Sequence, residues 1–318
     1  MYKILIFSVI CLFIIIPSLN EVSAQSTFNR NININKSSHT NNDITKNKKY
    51  AAIVVDTSRN LVLYKKNDKA RRYPASLTKI MTLYILFDEI KKGRIKMNSQ
   101  IYVSQSANSI PPSKLPIKVG DFITVEDAIY ALIIKSANNI SYAIAEKVAG
   151  SESKFVLLMN KKAKELKMFN TNFVNSHGWH NPHQYTTAYD MAILSISLQK
   201  AHPKKYKMFS KKSFKFRGQV ISTHNNVLKE YPGVDGIKTG YIMPSGFNLI
   251  TSVKKNNIGT IIAVVMGGTT PVQRDEHMIE LINTSYKFIE KKYRPISDPK
   301  SIFLVSNPKI KIRQKKFG

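Results

Sequence analysis

Ser76 and Lys79 stand three residues apart in the stretch Pro74-Ala75-Ser76-Leu77-Thr78-Lys79-Ile80-Met81-Thr82. A primary amine beside a hydroxyl can take its proton, provided burial or neighbouring charge lowers the amine's pKa. Leu77, Ile80, Met81, Tyr84, Phe87 and Ile90 recur at three- and four-residue steps, which predicts a helix with both polar side chains on one face of its first turn. The unpaired N–H groups and positive dipole end of such a helix favour an anion forming beside the serine. An S-x-x-K pattern alone is also met by an N-cap serine and a solvated lysine. Two later stretches shift that balance: Ser136-Ala137-Asn138 and Lys238-Thr239-Gly240. Between them they add a second hydroxyl, an amide and a second amine.

The surrounding pattern says what positions these groups. Tyr50 to Asp56 and Asn60 to Lys65 flank the turn signal Thr57-Ser58-Arg59-Asn60, so a β-hairpin is expected. Residues 101–119 mix Ser, Pro and Lys without a period and read as irregular. Thr124-Val125-Glu126-Asp127 is a capping box ahead of an apolar helix, Ala128 to Ile134. A second helix ends at Gly150, a suitable C′ glycine, which places Ser136 and Asn138 between two helices. Ser153 to Met168 and Tyr185 to Leu198 read as further helices, the latter capped by Thr186 or Thr187. Strands return at Ile237 to Tyr241, Phe247 to Val253 and Thr260 to Met266, with Lys254-Lys255-Asn256-Asn257 as a tight turn. Val272 to Lys291 closes the pattern as an amphipathic helix. The order predicts an α+β fold: an antiparallel sheet built from both ends of the domain and flanked by helices, with a mainly helical subdomain inserted between them.

The trio of S-x-x-K, S-x-N and K-T-G is a signature of penicillin-binding proteins and class A β-lactamases. Ala137 at the middle of the second element leans away from the β-lactamase form. The chain resembles the low-molecular-mass penicillin-binding proteins that are serine D-alanyl-D-alanine carboxypeptidases. The similarity runs from about Lys49 to Tyr293 and includes Ala145 to Ser151, Asn172 to Asn175, Tyr185 to Met191 and His224-Asn225-Asn226. It implies the penicillin-recognising serine enzyme fold, with a cleft between sheet and helices. It also implies roles: Ser76 as nucleophile, Lys79 as general base, and Ser136 relaying a proton with help from Lys238. The backbone N–H groups of Ser76 and Tyr241, next to Gly240, would form the oxyanion hole. Asn138 would hold the substrate's amide, and Thr239 and Arg274 its terminal carboxylate.

The expected reaction removes the terminal D-alanine from peptidoglycan stem pentapeptides through an acyl-enzyme, with β-lactams as covalent inhibitors. Neither a cofactor nor a metal is called for. A D,D-endopeptidase or transpeptidase would use the same machinery on cross-linked substrate. A β-lactamase would need a deacylating glutamate, and Glu165 and Asn170 are misspaced for the E-x-x-L-N pattern. A non-catalytic envelope-binding protein would have no use for three intact motifs.

Lys3, the apolar run Ile4 to Ile16 and the small-residue site Val22-Ser23-Ala24 read as a secretory signal peptide over residues 1–24, which predicts export to the periplasm or cell envelope. The one cysteine, Cys11, lies inside that run, so the chemistry is oxygen- or nitrogen-based. Residues 25–48 read as a disordered linker, 49–293 as the catalytic domain, and 294–318 as a basic tail, short for the β-rich second domain and terminal amphipathic helix that many members carry. The net charge of +29 invites a nucleic-acid reading, but the lysines are dispersed and no nucleic-acid motif is present. Electrostatic association with an anionic membrane or envelope polymers fits better, and a charge that serves only solubility fits better still. His177, His180 and His183 form H-x-x-H-x-x-H, yet Gly178, Asn181 and Pro182 oppose the helix that would gather them on one metal.

Overall fold

The computed structural model describes residues 43–293. The expected signal peptide, the start of the linker and the basic tail lie outside them. Residues 43–48, expected as the end of that linker, include a 3₁₀ turn, Ile44–Lys46, capped by Asp43, and Ile44 is buried in the core.

Five antiparallel strands form the sheet, in the order β2-β1-β5-β4-β3: β1 Ala51–Asp56, β2 Leu61–Lys66, β3 Val234–Ile242, β4 Gly246–Lys255 and β5 Gly259–Gly268. The first two strands come from one end of the sequence and the last three from the other. They join where β1 pairs with β5, with Ile53 opposite Val264.

Alternation along these strands covers both faces. Ile53, Val55, Ile262 and Val264 point into a core shared with the helical part. Ala52, Val54, Ala263 and Val265 point the other way, under the helix α5, Pro271–Lys292. Burying each large aliphatic side chain contributes about 1.5–3 kcal/mol, so a sheet covered on both faces is a stiff platform.

The inserted part contains α1 Lys79–Lys91, α2 Asn138–Ala149, α3 Glu152–Glu165 and α4 Ala188–Ala201. Thr187 caps α4 by accepting from Asp190 N, and Gly150 ends α2 in the left-handed conformation at φ +79°. Thr124 accepts from Asp127 N at 3.1 Å, as its box predicts. Residues 101–119 are less irregular than expected: Gln100–Tyr102 pairs with Phe122–Thr124, and Ser104 caps a short helix. A second small hairpin, Ser213–Phe216 with Gln219–Ser222, had no counterpart in the sequence reading.

Candidate active site

Ser76 does not begin the helix as its periodicity suggests. Ala75–Thr78 forms a 3₁₀ turn, and α1 starts at Lys79. In a 3₁₀ turn residues three apart eclipse one another, so the tighter winding stacks Lys79 on Ser76. Lys79 Nζ donates to Ser76 Oγ at 3.0 Å. Ala75, just before, sits at φ +50°, a left-handed conformation costing roughly 1–2 kcal/mol for a residue with a Cβ.

Two glycines give this turn its room. A Cβ on Gly178, at φ +91°, would stand 1.9 Å from Ala75 O. A Cβ on Gly240 would stand 3.2 Å from Ser76 N, so β3 passes hard against the turn.

Lys79 is wholly buried, and its partners are uncharged oxygens. Besides Ser76 Oγ it donates to Asn138 Oδ1 at 2.7 Å and His177 O at 2.5 Å. Burial first, and then the charge of Lys238, pushes its amine well below the ordinary lysine value. Losing one of those three protons leaves an amine that still donates to both carbonyl-type oxygens and turns its lone pair to the Ser76 hydroxyl. Asn138 Nδ2 donates to Pro111 O at 2.8 Å, which turns the amide oxygen toward Lys79. Both ends of the Asn138 amide are therefore engaged within the protein. Its partners within the protein are the lysine and Pro111.

Ser136 follows a π-helical turn, Ala131–Lys135, and adopts φ +62°, ψ +35°. That reversal between two helices turns its side chain to the cleft, where the buried Oγ has no partner among the described residues. Segment 111–115 backs this element: Asn138 N donates to Ser113 O, and the Asn139 side chain clamps the backbone of Leu115 from both ends.

Across the cleft lies the edge strand β3. Lys238 is buried, donates to Thr239 O at 3.0 Å, and has its pKa pushed down to about 7 by burial and then by Arg274's charge. Thr239, Gly240 and Tyr241 line the cleft, and Tyr241 stacks on Phe247 at 4.2 Å. Arg274, in the first turn of α5, binds Asp275 Oδ1 through Nε and Nη2 at 2.9 and 2.7 Å and reaches Asn248 O at 3.4 Å. It also lines the cleft, a cavity of about 440 Å³. Lys135, His224 and Lys229 join it there, and no Asp or Glu is among the lining residues. His224 is pushed to lower pKa by burial and by Lys238, Lys135 and Lys229. The walls thus favour an anionic ligand.

Ser76, Lys79, Ser136, Asn138, Lys238, Thr239, Gly240, Tyr241 and Arg274 are brought to one place. Sequence reasoning missed the carbonyl of His177 as a partner of Lys79. A backbone oxygen carries no residue-type signal, and the two residues are 98 positions apart.

The three histidines do not converge through their rings. His177 is buried and accepts from Trp179 N, its pKa pushed down to about 3 by burial and by Lys79. The His180 ring meets Tyr73 edge-on, and His183 is exposed. Among the described residues no three His, Cys, Asp or Glu side chains are grouped to hold a metal ion.

Comparison with known proteins fits this geometry. The family model for D-alanyl-D-alanine carboxypeptidase matches residues 36–270. The D-alanyl-D-alanine carboxypeptidase DacF of Bacillus subtilis is 36% identical over 245 residues, which are 76% of this chain and 62% of that protein. The chain thus spans about three fifths of the length of the curated relatives it matches. Penicillin binding protein 5 from Haemophilus influenzae aligns with a TM-score of 0.72 at 32% identity, covering 77% of this chain and 72% of that one. Penicillin binding protein 6B from Escherichia coli gives 0.70 at 34%, covering 74% and 76%. Over most of its folded residues, in sequence and in the arrangement of sheet and helices alike, this chain belongs to the D-alanyl-D-alanine carboxypeptidase family.

Proposed function

We propose that this chain is an exported serine D,D-carboxypeptidase that removes the terminal D-alanine from peptidoglycan stem pentapeptides and is acylated by β-lactams at the same serine. One observation carries the proposal: a buried, cation-repelled amine lies 3.0 Å from the hydroxyl of Ser76. Lys79, neutral, takes the Ser76 proton as Oγ attacks the carbonyl between the two D-alanines. The oxyanion forms against the N–H groups of Ser76 and Tyr241, each such donor lowering the barrier by roughly 2.7–4 kcal/mol. Ser136, whose Oγ is otherwise unpartnered, passes the proton to the departing amine with Lys238 beside it. Thr239 and Arg274 hold the terminal carboxylate, Asn138 keeps Lys79 in place, and water then cleaves the ester. The catalytic domain spans residues 49–293, and the chain's basic charge draws it to the anionic outer face of the cytoplasmic membrane.

The experiment is to incubate the protein with a fluorescent penicillin and with a peptide ending in D-Ala-D-Ala. Covalent labelling together with release of free D-alanine supports the proposal. Folded protein that does neither sinks it.

A further inference from the structure

The contact between Lys79 and the His177 carbonyl raises the question of what holds a loop carbonyl against a buried amine. His177 follows Ser176, and every polar group of Ser176 is bonded. Its carbonyl accepts from Thr82 Oγ1 at 2.6 Å and from Ser141 Oγ at 2.8 Å, which ties the loop to α1 and α2. Its N–H and hydroxyl both donate to one atom, Glu152 Oε1, at 2.9 and 2.6 Å. The same carboxylate oxygen lies 3.7 Å from His177 Nε2. Trp179 N donates to His177 Nδ1, which leaves the ring proton on Nε2, toward Glu152.

Glu152 is the first residue of α3, where an acidic side chain commonly serves only the helix dipole. Here that end is already capped, because Ser151 accepts from Lys154 N. The Glu152 carboxylate turns away to Ser176 and is itself mostly buried, with 17% of its side chain exposed. Burial raises its pKa, a cost borne for a contact one peptide unit from the amine's partner.

We propose that Glu152 is a positioning residue for the Lys79 amine, acting through Ser176 to hold the His177 carbonyl against it. This rests on the reading of Lys79 as general base. Without the carboxylate oxygen, Ser176 loses two bonds, the loop loosens, and the carbonyl leaves Nζ free to turn from Ser76. Water then reaches the amine, and its pKa climbs toward the ordinary value.

The test is the rate of acylation by a fluorescent penicillin across pH in the full chain, for wild type, Glu152→Ala, Glu152→Gln and Ser176→Ala, with thermal melting of each. Glu152→Ala is expected to acylate at least about tenfold more slowly at neutral pH, the effect of losing one such contact. Its acid limb should move to higher pH while the affinity of the initial complex holds. Glu152→Gln retains an oxygen that accepts both Ser176 bonds and should rescue the rate and the limb. Ser176→Ala keeps the backbone bond and should fall between. A folded Glu152→Ala with wild-type rate and limb overturns the proposal, as does a Gln variant no better than Ala. If Glu152→Ala melts below assay temperature, a wild-type rate and limb in Ser176→Ala overturns it. Wild-type protein that is never acylated instead overturns the proposed function beneath it.

Discussion

Lys79 Nζ stands 3.0 Å from Ser76 Oγ and finds its other partners in uncharged oxygens of Asn138 and His177. An ammonium there would be buried among neutral acceptors with the charge of Lys238 repelling it, so the amine form is favoured. Lys79→Arg keeps a cation but cannot give up its proton, and is expected to lose nearly all acylation while remaining folded. Mass spectrometry of penicillin-treated wild type should place the adduct on the peptide containing Ser76. An adduct elsewhere, or an arginine variant that acylates at near wild-type rate, removes the lysine from the role of base.

Lys238 gives the pH dependence a sign. Its pKa is pushed down to about 7, and a lysine is charged below its pKa. Attraction for a substrate carboxylate is therefore present below about pH 7 and is lost as pH rises through it. Turnover of a D-Ala-D-Ala peptide should show kcat/KM falling above neutrality, because that quantity follows the free enzyme. A bound carboxylate restores the charge on Lys238, so kcat should persist to higher pH. A kcat/KM that keeps rising to pH 9 contradicts the assignment.

Gly178 is where backbone geometry and chemistry meet. Its φ of +91° and the 1.9 Å from a hypothetical Cβ to Ala75 O leave no room for a side chain. Gly178→Ala should push the loop from the Ser76 turn, lower stability by roughly 1–3 kcal/mol and slow acylation sharply. Urea unfolding and penicillin labelling measure the two effects. Gly218, whose Cβ would meet nothing within 4 Å, is the control, since its alanine variant bears only the strain of positive φ.

That glycine also marks what could be read from the chain and what could not. The sheet was legible because unbroken apolar runs in Ala51–Asp56 and Gly259–Gly268 dictate two buried faces. Thr124, Thr187 and Gly150 announced helix ends through capping chemistry. The missed hairpin had a signal in Arg217-Gly218, both at positive φ, which follow the alternating Phe214 and Phe216 and turn the chain back at Gln219. The 3₁₀ start of α1 had none, because the strain at Ala75 is imposed by tertiary contacts from Gly178 and Gly240. The side-chain groups of the site were recoverable by spacing. Its backbone half, Pro111 O and His177 O, depends on loops whose paths no residue pattern encodes.

Chelation separates the two uses of the histidine stretch. No step above employs an ion, the His180 ring packs on Tyr73, and His183 is exposed. Acylation and D-alanine release should survive prolonged EDTA. Loss of both with chelator, followed by recovery with zinc, would return His177, His180 and His183 to consideration as ligands.

The preference for a free carboxylate follows from Arg274. Its bonds to Asp275 and Asn248 O orient the guanidinium and leave N–H groups to spare. Asp275 offsets part of its charge, yet Lys135, Lys229 and His224 line the same cleft with no acidic residue opposing them. A peptide ending in D-Ala-D-Ala presents a carboxylate one residue beyond the attacked carbonyl, whereas its C-terminal amide does not. The charge-assisted bonds lost with the amide are worth roughly 1.5–3 kcal/mol, about ten- to a hundredfold in rate. The free acid should therefore be cleaved faster by that margin. Arg274→Ala should erase most of the difference while leaving Ser76 able to react with a penicillin. A cross-linked peptide also carries a carboxylate near its scissile bond, so a second comparison is needed. Release of D-alanine from pentapeptide is expected to outrun splitting of purified cross-linked dimer; if the dimer is split faster, the enzyme is an endopeptidase and the carboxylate grip serves that reaction instead.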